Sequence, residues 1–109
     1  MNEIVSLDER CAALSEAWQP MDLVTVNGAI LRLGRFDGDF VWHRHDEDEL
    51  FLCWSGTFRV EMEGREAVAL SAGDIFVVPA GAQHRPVANY GPAYALMVER
   101  PETKQYGNN

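Results

Sequence analysis

Short apolar segments recur between closely spaced turn signals from Met21 to Val98, and this rhythm restricts the fold more than any other feature of the chain. Asn27-Gly28 is a hairpin signal between Leu23–Val26 and Ala29–Leu33, because both central positions of a tight hairpin turn require a positive φ. Further turns are expected at Asp37-Gly38, Ser55-Gly56, Glu63-Gly64, Ser71-Ala72-Gly73, Pro79-Ala80-Gly81 and Asn89-Tyr90-Gly91-Pro92. Between them lie the candidate strands Phe40–His43, Leu50–Trp54, Phe58–Met62, Val68–Leu70, Ile75–Val78 and Tyr94–Val98. Many short strands at such spacing predict an all-β sandwich or barrel.

The exception precedes the strands. Ser6 followed by Glu9 makes a capping box, and Leu7, Cys11, Leu14 and Trp18 recur at helical spacing, so a helix is predicted over 6–18, stopped by Pro20. It is expected to pack on the outside of the sheet or on a partner subunit. The 109 residues are read as one domain, with the helix at 6–18, the β-barrel at 21–100 and a polar tail at 101–109, mobile or laid across a neighbouring subunit. A sheet of this size with free strand edges suits a homodimer.

The formal charge of -8 offers no basic patch for phosphates and argues against a nucleic-acid partner and an anionic membrane surface. No apolar stretch approaches a membrane-spanning length, and the first residues lack a basic region followed by an apolar one, so a cytoplasmic location is expected. Cys11 and Cys53 are read as free, small core hydrophobes rather than a disulfide.

The chain has only three histidines. His43 and His45 alternate on a predicted strand, so both imidazoles project from one face with Cα atoms about 6.5–7 Å apart, near enough to converge on one ion. Such a pair alone is also common as a surface feature. Glu49 follows after a short turn and can supply a carboxylate oxygen, and His84 follows the Pro79-Ala80-Gly81 turn, which could return the chain across the same cavity. The acidic residues Asp46, Glu47 and Asp48 read as a solvated loop. Three neutral imidazoles and one carboxylate suit one divalent transition metal ion (Fe, Mn, Ni, Zn or Cu) better than Ca or Mg.

The segment His43-x-His45-x3-Glu49-x6-Gly56 resembles the first cupin motif, and Gly73-x5-Pro79-x-Gly81-x2-His84 resembles the second. Two positions depart from the family pattern: Asp37 stands where its first glycine belongs, and Ala88 where its final asparagine belongs, with Gly38 and Asn89 each displaced by one residue. The resemblance, to small single-domain cupins, implies a jelly-roll barrel (a double-stranded β-helix) with a metal ion inside, held by His43, His45, Glu49 and His84.

By strand alternation Val41, Phe51 and Cys53 share the inward face with the ligand set, and Phe36, Phe40, Phe76, Tyr94 and Met97 are further candidates for the cavity wall. Gln83 and Arg85 are placed near its mouth. Tyr94 is the candidate catalytic residue, its hydroxyl available to orient a ligand or move a proton; Glu47 and Glu99 are weaker candidates. An apolar, aromatic pocket with a chelating ion suits a small oxygenated ligand such as a hydroxy acid, keto acid, enol or aromatic fragment. The resemblance implies a metal-dependent enzyme of isomerase, lyase or dioxygenase type; the alternative is a non-catalytic, metal-dependent small-molecule binding or sensor protein.

Overall fold

The computed structural model describes residues 3–108. The helix, α1 (Leu7–Ala13), begins where the capping box places it: Ser6 Oγ accepts from the Glu9 amide at 3.4 Å. It ends earlier than the periodicity predicts. Leu14 is already extended, although its N–H still donates to the Arg10 and Cys11 carbonyls. The chain is then drawn off the helix axis at Trp18, which takes φ +63°, donates its amide to the Arg35 carbonyl and stacks its indole on Phe36 and Phe40. Burying an indole between two aromatic rings outweighs one more helical turn.

Seven strands follow, all paired antiparallel: β1 (Met21–Val26), β2 (Ala29–Asp39), β3 (Glu49–Ser55), β4 (Thr57–Met62), β5 (Arg65–Ser71), β6 (Ile75–Val78) and β7 (His84–Glu99). One path runs β1-β2-β7-β3-β6, while β4 pairs with both β5 and β7. β7 joins the two. Its first part, from His84 to Val87, pairs with β4, and its second part, from Ala93 to Val98, is flanked by β2 and β3. This is the jelly-roll arrangement of an all-β barrel.

Three local expectations are corrected. Asp37-Gly38 is a bulge inside β2 rather than a turn, with the register against β7 shifting between Phe36 and Gly38. Asn89–Pro92 does not reverse the chain; it is the exposed corner at which β7 passes from one layer to the other. The segment Phe40–His43 forms a single bridge, His43 with His84, instead of a strand.

The strands bury two apolar layers. Inside the barrel, Phe36, Phe51 and Phe58 meet edge-to-face, with Phe36 and Phe58 centroids 5.0 Å apart, beside Val60, Leu70 and Val78. Ala93 and Ala95 on the inward face of β7 leave room for these rings. On the outer face, Leu33 and Leu96 are covered by Leu14, Leu7 and Cys11, so α1 packs on the sheet of its own chain. Cys11 and Cys53 are both free.

Gly56 lies between β3 and β4 at φ +76°, and a Cβ there would stand 2.8 Å from the Pro92 carbonyl oxygen and 3.0 Å from Ala93 Cα. Strain and backbone clash act together, and the obstructing atoms belong to the β7 corner. Gly56→Ala is therefore expected to cost on the order of 1–3 kcal/mol, read as a lowered urea midpoint at unchanged m. A wild-type midpoint would contradict this close approach.

Candidate metal centre

His84 opens β7 and His43 lies on the irregular segment opposite. Their backbones exchange both hydrogen bonds, His43 N–H to His84 O at 3.0 Å and His84 N–H to His43 O at 2.8 Å, which fixes the two rings side by side with centroids 4.4 Å apart. Each ring donates Nδ1–H to a carbonyl two residues earlier, His43 to Val41 and His84 to Ala82, both at 2.9 Å. A carbonyl only accepts, so the tautomer is set and each Nε2 presents a lone pair to the interior. His45 is carried on the same loop, where its carbonyl accepts from the Gly81 amide at 2.8 Å.

Glu49 is the first residue of β3 and is paired with Val78 of β6. Its Oε1 lies 3.4 Å from His45 Nε2 and 3.5 Å from His84 Nε2. The acidic run before it is partly structural: Asp48 accepts from the Ala80 amide at 2.8 Å and Glu47 from the Thr103 hydroxyl at 3.1 Å. One donor atom from each of His43, His45, Glu49 and His84 lies within 4.8 Å of the others, and all four residues are buried.

The donor set fits a metal ion on grounds of its own. Both ring nitrogens of His45 and Nε2 of His84 are buried with no hydrogen-bond partner. Each such atom costs about 1–3 kcal/mol, and a cation accepting the lone pairs of the His45 and His84 nitrogens turned toward Glu49 removes that cost for one nitrogen of each ring. His43 itself is held neutral: burial, reinforced by the neighbouring His84 and His45, pushes its pKa down to about 4. Glu49 is held below the usual carboxylate range. Burial opposes its charge, but the neighbouring His45, His84 and Glu99 side chains prevail. Glu99 moves the other way, raised by burial and by Glu49 against the opposing pull of Arg32.

Beside this set is a cavity of about 230 Å³, reached by His43 and Glu49 and walled by Phe36, Phe40, Phe51, Met97 and Trp18. The Trp18 centroid is 4.9 Å from both Phe36 and Phe40. Several expected wall residues lie elsewhere. Tyr94 faces outward, because Ala93, Ala95 and Met97 take the inward face of β7; its hydroxyl donates to the Leu14 carbonyl at 3.4 Å under α1, away from the cavity. Val41 is 49% exposed, since alternation lapses once β2 has ended. Cys53 is core, its Sγ 3.3 Å from the Gly56 carbonyl. Phe76 lies beneath the Arg65 guanidinium and packs against the core, and Arg85 stacks over Trp42 and pairs with Glu61.

Other residues lining the cavity escaped the sequence reading: Trp18, hidden inside the predicted helix, and Arg32, Thr103 and Gln105. The pattern Arg32-x-Gly34-x-Phe36 was the available signal, since alternation places the arginine on the face of Phe36. The C-terminal segment neither dangles nor reaches elsewhere: residues 101–108 fold back over this cavity. Tyr106 packs on Phe40 with centroids 5.2 Å apart, the Asn108 amide donates to the Arg44 carbonyl at 2.8 Å, and Gly107 fits against Arg44 where a Cβ would collide with the backbone.

A fold of this kind enclosing such a site defines a double-stranded β-helix protein with a buried three-histidine, one-carboxylate cluster. The family model described as "Cupin domain" matches residues 33–99. The chain belongs to the cupin family. Over 80 residues it is 34% identical to the uncharacterized protein YdbB of Bacillus subtilis, covering 72% of this chain and 70% of that one. Among solved structures it is similar to a cupin-2 domain containing protein from Shewanella frigidimarina (TM-score 0.84, 26% identity, 89% of this chain and 94% of that chain). The fold also matches hydroquinone 1,2-dioxygenase from Sphingomonas sp. TTNP3 with 4-hydroxybenzoate bound (TM-score 0.82, 21% identity, 90% of this chain and 32% of that chain).

The His43 shift dictates a pH dependence. Folded His43 takes up its proton only near pH 4, whereas the unfolded chain does so near 6.5. Between these values the unfolded state binds more protons, so the stability of metal-free protein rises with pH across the window and is fully present above it. Acidification from pH 7 to 4 should cost on the order of 3 kcal/mol through this residue. Urea midpoints measured across the window should fall, with a shallower fall in His43→Gln; equal slopes in the two proteins would contradict a buried, neutral His43.

Proposed function

We propose that this cupin is a metal-dependent enzyme of isomerase, lyase or dioxygenase type, acting on a small oxygenated substrate that chelates the ion. The observation that carries the reading is the set of buried, unpartnered imidazole nitrogens beside an aromatic cavity. His43, His45, Glu49 and His84 would hold one divalent transition metal, with Fe, Mn, Ni, Zn and Cu all compatible with the donors. Such an ion supplies Lewis acidity, polarising a bound oxygen or stabilising an enolate.

The rest is work for the chain itself. The Val41 and Ala82 carbonyls keep the His43 and His84 rings in the tautomer that leaves Nε2 free. Trp18, Phe36 and Phe40, stacked on one another, form an apolar wall against which a planar or apolar body can lie with water excluded. Thr103 and Gln105 bring the C-terminal segment to the cavity, which limits the size of what enters. With Tyr94 turned outward, Glu99, whose carboxyl lines the cavity one strand away from Glu49, is the remaining candidate from the sequence to move a proton there. The Sphingomonas dioxygenase that shares the fold holds 4-hydroxybenzoate, and an aromatic, oxygenated ligand would likewise suit the aromatic wall of this cavity.

The reading extends to assembly and location. It treats the chain as one cupin domain that includes the C-terminal segment. Ile75, Val77 and Val98 stand exposed on neighbouring strands of the outer face, with Leu50 and Leu52 between them, beyond the area covered by α1. A second copy against this patch would give a homodimer, within a cytoplasmic setting; no described helix is long and apolar enough to cross a membrane.

Untagged protein should carry about one transition-metal ion per chain by elemental analysis, and His84→Ala should carry almost none. Metal-loaded protein should then turn over a member of a panel of hydroxy acids, keto acids, enols and hydroxybenzoates. Equal metal content in wild type and His84→Ala would defeat the four-ligand reading. Binding without turnover across the panel would favour a sensor or binding protein instead.

A further inference from the structure

Glu49 and Glu99 stand on adjacent strands, each one residue beyond the paired Leu50 and Val98, so both side chains enter the cavity from the same face of the sheet. As directly opposite residues of an antiparallel pair, they are side-chain neighbours across the two strands. Glu99 is in turn held from the far side: Arg32 Nη1 donates to its Oε1 at 2.8 Å. The guanidinium has its own anchors, Asp22 at 2.9 Å through Nε, the Thr103 carbonyl at 3.2 Å and the Pro101 carbonyl at 2.8 Å. A polar row therefore crosses four strands from the ligand set to the cavity rim: Glu49 on β3, Glu99 on β7, Arg32 on β2 and Asp22 on β1.

This row is unexpected on an inward face otherwise built from Gly34, Phe36, Phe51, Ala93, Ala95 and Met97. Burying Glu99 and Arg32 side by side is costly unless their geometry is well satisfied, and here the arginine's partners come from β1, β7 and the C-terminal segment. None of these anchors touches an imidazole. The row acts on the site only through its last contact, the one between Glu99 and Glu49.

We propose that Glu99 is a positioning residue for the metal centre: held by Arg32, it fixes the Glu49 carboxyl so that one oxygen is turned to the imidazoles. The inference rests on the metal reading above and deepens it. Partners that orient a ligating carboxylate typically contribute ten- to hundred-fold to metal affinity. The three imidazoles are oriented independently by backbone carbonyls and by the loop, so the effect on Glu49 is separable from theirs.

Cobalt(II), whose visible absorption reports the geometry of its ligands, is the probe. Wild type, Glu99→Ala and Glu99→Gln are titrated with the ion after circular dichroism has shown each to be folded. Glu99→Ala should bind ten- to hundred-fold more weakly with an altered spectrum. Glu99→Gln should stay within about three-fold of wild type with an unchanged spectrum, because the isosteric side chain keeps its reach to Glu49 and an oxygen that accepts from Arg32. Should Glu99→Ala not fold, Glu99→Asp takes its place with the same expectation, its carboxyl being one methylene too short to span both partners. Wild-type affinity and spectrum in Glu99→Ala or Glu99→Asp, or a ten-fold loss in Glu99→Gln, would overturn the proposal while leaving the metal reading intact. Failure of wild type itself to bind cobalt overturns the metal reading and this inference together.

Discussion

The backbone pair between His43 and His84 is the contact on which the site depends. It is a single bridge outside the regular ladders, yet it brings together the irregular segment after β2 and the first residue of the strand that joins both layers. Because both hydrogen bonds are exchanged, the two residues lie opposite one another, and their rings are held close on the same side. The carbonyls of Val41 and Ala82 then do for each ring what the bridge does for each backbone. Four hydrogen bonds thus determine the aim of two lone pairs, and every acceptor is a backbone carbonyl rather than a side chain that could rotate away.

What such aim costs explains why the surroundings are as rigid as they are. Unpartnered ring nitrogens in an apolar interior would ordinarily turn toward any available polar group, and the loop carrying His45 would move to let them. It is pinned instead: the His45 carbonyl accepts from Gly81, the Asp48 carboxylate accepts from Ala80, and Asn108 grips the loop from outside through Arg44 and Asp46. The acidic run that looked like a solvated loop is in part the fastening between the two motif segments. A metal-free barrel is consequently strained in its polar groups rather than in its packing, which is the condition under which cation binding and folding reinforce each other.

The barrel and its four converging side chains were legible in the sequence because both rest on local rules. Turn chemistry every few residues announces strands, and the spacing of the histidines and the glutamate falls within two short motifs. The errors arise where tertiary contacts override those rules. The helix stops early because Trp18 is worth more in the cavity than on a helix face. The Asn89–Pro92 corner reads as a reversal because turn residues announce a change of direction and not which neighbours the chain meets next. Tyr94 was misplaced although alternation, applied strictly from Met97, puts it on the other face; its hydroxyl finds the Leu14 carbonyl left free where α1 ends. The C-terminal segment had no signal at all, since its order derives from the Arg32 guanidinium, the Phe40 ring and the Arg44 backbone rather than from its own composition.

Arg32 shows how one residue can couple parts that the sequence presents as unrelated. Its Nη1 reaches toward the ligand set through Glu99, and the same Nη1 with Nη2 binds the Thr103 and Pro101 carbonyls that start the segment crossing the cavity. A lysine, with a single point of charge on a longer flexible stem, would satisfy either the carboxylate or the carbonyls but not the fork that joins them. Through this fork the orientation of Glu49 and the closure of the cavity share an anchor. A ligand that displaces the C-terminal segment to enter would loosen two of the four contacts that hold the guanidinium, and so would act on the carboxylate beside Glu49 before touching the ligand set. Access to the cavity and geometry at the three-histidine, one-glutamate cluster are, on this architecture, one mechanical problem.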